Sequence, residues 1–195
     1  IQDKPRYLHR GMLLDTARHF QPITYLRKTI DALSFAKYNV LHWHVVDTQS
    51  FPFQSQTSPK LWEGAYTKNE RYSTQDMISL VEYGRKRGVK VMIEFDVPGH
   101  QASWCTGYPQ ICPSTSCLQP LNPASEDTMP LLQGLLKECT QIMTDGQKHE
   151  LFPYELIHLG GDEVDYTCWN KSPEINEWQK QQGYEGNGNE DTYKY

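Results

Sequence analysis

The sequence has no apolar run approaching the roughly 20 residues that a membrane-spanning helix requires, so no such helix is expected in its 195 residues. Nor does it contain a block of like charge. Lys and Arg number 19 against 24 Asp and Glu, for a formal net charge of -5, and no surface that follows phosphates is expected, which sets nucleic acid aside as a partner. Cysteine is sparse: Cys105, Cys112, Cys117, Cys139 and Cys168 show neither the Cys-x-x-Cys spacing of a zinc site nor a redox motif. Three of them crowd a Pro/Ser-rich loop, and disulfides formed in an oxidising compartment, with one thiol left over, fit best. There is no initiator Met and no signal-like apolar stretch, so Ile1 is read as a processed or trimmed end. The single Asn-x-Ser match, Asn170-Lys171-Ser172, agrees with a secretory route, although Pro173 follows it.

What is present is alternation. Gly11 to Asp15 is a short apolar run, and Ile23, Leu26, Ile30 and Leu33 then recur at helical spacing. Asn39 to Val46 reads as a second strand, and Thr74 to Arg87 as a helix with Gly88 at its stop. Val89 to Phe95 makes a third strand, and Met129 to Met143 carries a helical pattern of Leu131, Leu132, Leu135, Leu136 and Ile142. A fourth strand is expected over Leu156 to Leu159, within an apolar stretch that begins at Pro153. A last helix is expected from about Pro173 to Gln182, with Gly183 just past its end. The Gly/Asn tail from Gly186 to Asp191 is linker-like.

Strict strand-helix alternation argues for a parallel sheet covered by helices, doubly wound or part of an eight-fold barrel. Polar residues decide between the two. Asp15 with Arg18, His44 with Asp47, Asp96 with His100, and Asp162 with Glu163 all fall at or just beyond a strand's C-terminal end. Barrel active sites are assembled from all such ends, whereas an open sheet uses one or two at its switch point.

The run His158-Leu159-Gly160-Gly161-Asp162-Glu163 sets two adjacent acids after a glycine pair, where the backbone can turn sharply and approach a ligand. The same letters also describe an ordinary turn that caps a helix. Adjacent acids cannot form the usual glycosidase pair, whose carboxyl groups stand roughly 5 Å or more apart across the scissile bond. Either a partner lies elsewhere or the substrate supplies one.

Together, Arg10-Gly11-Met12-Leu13-Leu14-Asp15-Thr16-Ala17-Arg18-His19, Asn39-Val40-Leu41-His42-Trp43-His44-Val45-Val46-Asp47, Glu94-Phe95-Asp96-Val97-Pro98-Gly99-His100 and His158 to Glu163 resemble the β-N-acetylhexosaminidases of glycoside hydrolase family 20. The likeness runs from about Arg6 to Tyr195. It implies a (β/α)8 TIM barrel that removes terminal β-linked N-acetylglucosamine or N-acetylgalactosamine from glycans, with no cofactor and no metal. It also implies a retaining, substrate-assisted reaction, an exception to the two-carboxylate scheme, in which the sugar's own acetamido oxygen attacks the anomeric carbon.

By this resemblance Glu163 protonates the leaving oxygen and later activates water, while Asp162 orients the acetamido N-H and balances an oxazolinium-like charge. Arg18 holds sugar hydroxyls with its planar fork of donors. Asp47 fixes the His100 imidazole, which tunes the acid. Asp96, His158 and Arg10 stand behind these groups in supporting positions. Cys117 and Cys168 match a disulfide bracing the rim; Cys105 and Cys112 are candidates for a second, local bridge, which would leave Cys139 free. Trp43 lies within a strand and reads as packing, and the role of Trp104 stays open.

The chief departure is length, because a complete barrel takes about 250 residues and eight units. Residues 1–185 cover its N-terminal half, and 186–195 form the polar tail. A second polypeptide or segment supplying strands five to eight is therefore expected, in a dimer of the mature enzyme that is lysosomal or secreted and glycosylated. Thr48 stands where many relatives carry a second Asp, and Val97 where Thr is common. Two rival readings remain: an inert glycan-binding or assembly subunit, and a metal-dependent TIM-barrel hydrolase built on His42, His44, Asp96, His100, His158 and Asp162.

Overall fold

The computed structural model describes residues 1–144, 146–154 and 156–184. Its main sheet has four parallel strands in the order β1-β2-β3-β6: β1 (Gly11–Asp15), β2 (Val40–Val46), β3 (Lys90–Phe95) and β6 (Ile157–His158). Helices α1 (Ile23–Phe35), α2 (Thr74–Arg85) and α3 (Thr128–Thr140) connect them, and α4 (Thr167–Lys171) and α5 (Pro173–Gln181) follow β6. Strand order equals sequence order, with no strand inserted between neighbours, which is the winding of a barrel segment and not of a doubly wound sheet.

Side chains alternate across the sheet with a period of two. Leu41, Trp43 and Val45 of β2 and Val91, Ile93 and Phe95 of β3 share the face that the helices cover. They pack with Leu26, Ile30 and Leu33 of α1, Met77 and Leu80 of α2, and Leu131 and Leu135 of α3. Burying each large apolar side chain contributes roughly 2 kcal/mol, so this layer supplies most of the driving force for folding. The opposite face carries Leu13, His42, His44, Met92, Glu94 and His158. Polar groups can be kept there because they pair with one another.

Local chemistry sets the helix ends. Ser73 and Asp76 form a reciprocal capping box at the start of α2. At α5, the Ser172 hydroxyl accepts the Ile175 N-H and Pro173 occupies the first turn. Gly88 and Gly183, at φ 70° and 81°, lie just past α2 and α5 as the sequence predicts.

Two expectations are corrected. The helix predicted to reach Met143 stops at Thr140, because Gln141 is extended (φ -155°, ψ 99°) and Ile142 enters an antiparallel hairpin of β4 (Ile142–Thr144) and β5 (Gln147–His149). Ile142 is buried while Met143 is exposed, a two-residue alternation hidden inside what reads as a helical repeat. The fourth strand, expected over Leu156 to Leu159, is only Ile157–His158, and Pro153 and Tyr154 lie in a turn. Its ladder ends where Gly160 and Gly161 take φ of 63° and 99°. Finally, α4 and several short 3-10 segments in the connections are not visible as a sequence pattern. The tail at 186–195 lies outside the described residues.

Candidate active site

Four chain segments leave the C-terminal ends of the parallel strands and converge. After β1, Asp15 accepts the backbone N-H groups of Ala17 and Arg18, and its other oxygen receives the Arg18 guanidinium at 2.7 Å. That guanidinium then reaches Asp47 Oδ2 at 2.8 Å, in the segment after β2. Asp47 is fully buried and lies 3.4 Å, through Oδ1, from Nδ1 of His100, in the segment after β3. Beyond the imidazole, Nε2 of His100 is buried and makes no hydrogen bond among the described residues. It stands 3.5 Å from Oε2 of Glu163, whose side chain is 78% exposed. The array is thus Asp15, Arg18, Asp47, His100 and Glu163, ending on a carboxyl open to solvent.

The loop bearing Asp162 and Glu163 is fixed by Asp96. Asp96 Oδ1 accepts the Gly161 N-H at 2.9 Å, and the Val97 N-H donates to the Leu159 carbonyl at 3.0 Å. A Cβ added at Gly160 would sit 2.0 Å from the same Asp96 oxygen, so only glycine allows this approach. Burial raises the proton affinity of Asp96, the Gly161 N-H and His100 oppose that, and the charges of Asp162 and Glu94 add to it; the net shift is upward. His100 and Glu163 hold left-handed backbone angles, φ 56° and 50°. For non-glycine residues this costs on the order of 1 kcal/mol each; among the described residues Lys37, after α1, shares it (φ 62°), and the other two face one another.

Beneath this array lies an ion-paired layer. Glu94 Oε2 is 2.6 Å from His42 Nε2 and 3.0 Å from His44 Nδ1, and Glu94 Oε1 is 3.0 Å from His158 Nδ1. The other His44 nitrogen, Nε2, is 2.6 Å from Asp47 Oδ2. Burial works against a charge on His44, but its hydrogen bonds to Asp47 and Glu94 prevail and hold it at about 9. Burial likewise works against the Glu94 carboxylate, but His44 and the neighbouring imidazoles hold it at about 2. Asp47 is lowered against its own burial, chiefly by His44 and the Thr48 N-H. His42 is lowered, mainly by burial.

Among the described residues three groups, His42/Glu94/His158, His44/Asp47/Asp96 and Asp96/His100/Asp162, bring ligating atoms within 4.8 Å of one another. Donors on a tetrahedral ion with bonds of about 2.0 Å stand roughly 3.3 Å apart. The 2.6 Å spacings of His42 to Glu94 and of His44 to Asp47 are those of hydrogen bonds, so these side chains are committed to each other. In the first two groups the donors therefore fit ion pairing better than metal ligation.

Of the residues singled out in the sequence, Arg18, Asp47, His100, Asp96, Asp162, Glu163 and His158 are brought to this end of the sheet. Arg10 is not. It lies before β1 at the opposite end, where its side chain donates to the carbonyls of Tyr7, Leu8 and Lys37 and ties down the N-terminal segment. Trp43 is buried and donates to Thr16 Oγ1, and Trp104 is buried edge-on against Phe51, so neither presents a ring to a ligand. Cys117 pairs with Cys168 and Cys105 with Cys112. Cys139 is free and buried, and burial pushes its thiol up to about 12. Sequence reasoning missed Glu94 and gave His44 no role beside Asp47 except as a metal ligand. The signal was available: His42 and His44 are two apart on one strand, and β3 places Glu94 directly in register with His44.

Comparison with known proteins identifies the family. Residues 7–194 match the model of the glycosyl hydrolase family 20 catalytic domain. Beta-hexosaminidase 1 of Arabidopsis thaliana is 46% identical over the whole chain, which covers 34% of that relative. The beta subunit of Homo sapiens beta-hexosaminidase is 42% identical over 94% of the chain and 33% of the relative. Among solved structures, the Flavobacterium johnsoniae chitobiase superposes with a TM-score of 0.81 at 33% identity, over 94% of this chain and 28% of the other. The chain thus spans about a third of the length of the curated relatives it matches.

Proposed function

Since the chain belongs to glycosyl hydrolase family 20, we propose that it supplies the acid-bearing half of a β-N-acetylhexosaminidase site. This site releases terminal β-linked N-acetylglucosamine or N-acetylgalactosamine with retention of configuration. The observation that carries this reading is the buried, unpartnered Nε2 of His100 facing the exposed Glu163 carboxyl at 3.5 Å, with Asp47 behind the ring. A solvent-open carboxyl, backed by an imidazole and a buried carboxylate, is equipped to hold, give and recover a proton.

In the proposed reaction Glu163 donates its proton to the glycosidic oxygen as that bond breaks. The acetamido oxygen of the substrate attacks the anomeric carbon from the other face and forms an oxazolinium ring. Asp162 accepts the acetamido N-H and offsets the positive charge. Glu163 then removes a proton from water, which opens the ring. Arg18, already oriented by Asp15 and Asp47, has donors left for sugar hydroxyls. Asp96 takes no part in the bond changes and acts by holding the Gly160-Gly161 turn.

The remaining strands of a closed barrel come, in this reading, from chain outside residues 1–195, on the same or a second polypeptide, and the mature enzyme is a dimer. Exposed Leu13 on β1 and exposed Ile157 and Leu159 at β6 are the edges such a half would cover. Two disulfides support a lysosomal or secreted location, and Asn170 is the proposed glycan acceptor.

The test is hydrolysis of a chromogenic N-acetylglucosaminide by the complete barrel, compared with Glu163→Gln. Loss of turnover in the variant, together with inhibition of the native protein by an acetamido-thiazoline mimic of the oxazoline, is expected. Undiminished turnover in the variant overturns the assignment. A 22.7 kDa monomer that is active alone would overturn the need for a second half.

A further inference from the structure

We propose that Glu94 and His44 form a positioning pair that controls how Asp47 divides its negative charge, and through it the pH range over which Glu163 delivers its proton. The inference rests on the reading of Glu163 as the acid. It starts from connectivity. Glu94, His44, Asp47, His100 and Glu163 form an unbroken series with successive separations of 3.0, 2.6, 3.4 and 3.5 Å. Both nitrogens of His44 face carboxylate oxygens, so both carboxylates receive an N-H only when the ring is cationic.

Asp47 then serves three cations or potential cations at once. Arg18 and His44 share Oδ2, and His100 faces Oδ1 at the longest separation of the three. With its charge largely taken by Arg18 and a cationic His44, Asp47 has little left to stabilise a proton on His100. The weaker the hold of Asp47 on a His100 proton, the less positive charge faces Glu163, and the more readily Glu163 keeps its proton until bond cleavage. Weakening His44 as a cation reverses this. Asp47 turns toward His100, His100 holds its proton more firmly, and the cation facing Glu163 promotes early loss of the acidic proton.

Other charged groups around His44 must be weighed. Arg18 Nη1 lies 3.4 Å from His44 Nε2 and disfavours a charge there, but its own partners are Asp15 and Asp47. His42, on the same strand, and His158, from β6, both turn toward Glu94 and compete with His44 for it. Asp96 lies in the same cluster and favours a cation. Asp47 at 2.6 Å and Glu94 at 3.0 Å both favour the cationic state of His44; Asp47 is the group whose charge is being divided, so Glu94 is the partner through which that state can be changed separately.

The experiment uses the complete barrel and reads kcat/KM against pH for the native protein, Glu94→Gln, Glu94→Asp and His44→Gln. Glu94→Gln and His44→Gln are each expected to move the alkaline limb to lower pH by about half a unit or more. Glu94→Asp keeps the charge and is expected to restore most of the native limb. A purely structural role predicts lower kcat or lower melting temperature with both limbs in place, and that result overturns the inference. So does a limb that moves to higher pH. If Glu94→Gln does not fold, His44→Gln against Glu94→Asp decides alone. Failure of the underlying reading looks different, because Glu163→Gln would then retain turnover whatever the limbs do.

Discussion

The first three strands and the fourth are built differently. Strands β1 to β3 pair over five and six registered positions, with Leu41, Trp43, Val45, Val91 and Ile93 buried beneath helices. Strand β6 pairs with β3 at only two positions, and its Ile157 and the following Leu159 remain exposed. What holds the fourth unit is a small set of discrete ties: Gly161 N-H to Asp96, Val97 N-H to Leu159, the Trp169 indole N-H to the Leu121 carbonyl, and the Cys117–Cys168 bridge. The groups that orient, Arg18, Asp47 and His100, sit on the packed units, while the carboxylates that would act sit on the tied one. Positioning relies on a rigid core; the acid relies on a few local ties.

The sharpest way to break this comparison is Glu163→Gln in the complete barrel. Loss of general acid catalysis is expected to lower kcat by about 10²- to 10⁴-fold, with no change in melting temperature, because the side chain is 78% exposed. A large drop in stability would place Glu163 in the scaffold. Next is removal of the Cys117–Cys168 bridge, which closes a loop with a sequence separation of 51. Chain-entropy reasoning for a loop of that size gives about 4 kcal/mol. Proteolysis is expected to begin near residues 157–172, with the first three units still protected. Uniform loss of protection would show that the fourth unit is not separately anchored.

Leu80→Ala addresses the other side. Leu80 is fully buried in the cluster that joins α2 to the sheet, and a cavity there is expected to cost about 3 kcal/mol. Denaturant melts should shift without a change in the pH limits of catalysis.

These contrasts also explain what the sequence does and does not disclose. Packed units advertise themselves: apolar residues at helical spacing locate α1 and α2 within two residues, and the strand ends carry Asp15, Arg18, Asp47 and His100. Thr140 to Thr144 misleads because Ile142 and Met143 satisfy a helical repeat and a strand alternation equally well, and tertiary burial of Ile142 decides. Glu94 does not stand out, because a charge inside a strand has no local meaning. Its partners His44 and His158 lie on different strands, and only the parallel register joins them. The sequence suggests backbone freedom at Gly160, whereas its stricter requirement, room for the Asp96 carboxylate, exists only in three dimensions.

A pH series probes the ion-paired layer beneath both regions. Glu94, held at about 2 against an ordinary 4.5, contributes stability that is complete above 4.5 and lost as pH falls toward 2. His44, held at about 9 against an ordinary 6.5, contributes stability that is complete below 6.5 and lost as pH rises toward 9. Melting temperature is therefore expected to peak between about 4.5 and 6.5 and to decline on both sides. Glu94→Gln should flatten both declines. A native profile that is flat from 6.5 to 9 would mean that His44 is uncharged.

The smallest expected effect tests whether the packed units tolerate a purely local defect. Ser73 caps α2 by accepting the Asp76 N-H, while the Asp76 carboxylate returns to the Ser73 N-H and hydroxyl. Ser73→Ala removes one half of this exchange and leaves the buried face of α2, with Met77 and Leu80, untouched. Loss of such a cap costs about 1 kcal/mol, a modest fall in melting temperature readable by circular dichroism. Because α2 is fixed to β3 by its apolar face, the cost should stay in the helix. Neither the protease sensitivity of residues 157–172 nor the pH limits of catalysis should change. If they do, the three packed units and the tied fourth unit form one cooperative body, and the acid is held by the whole core instead of by its own few ties.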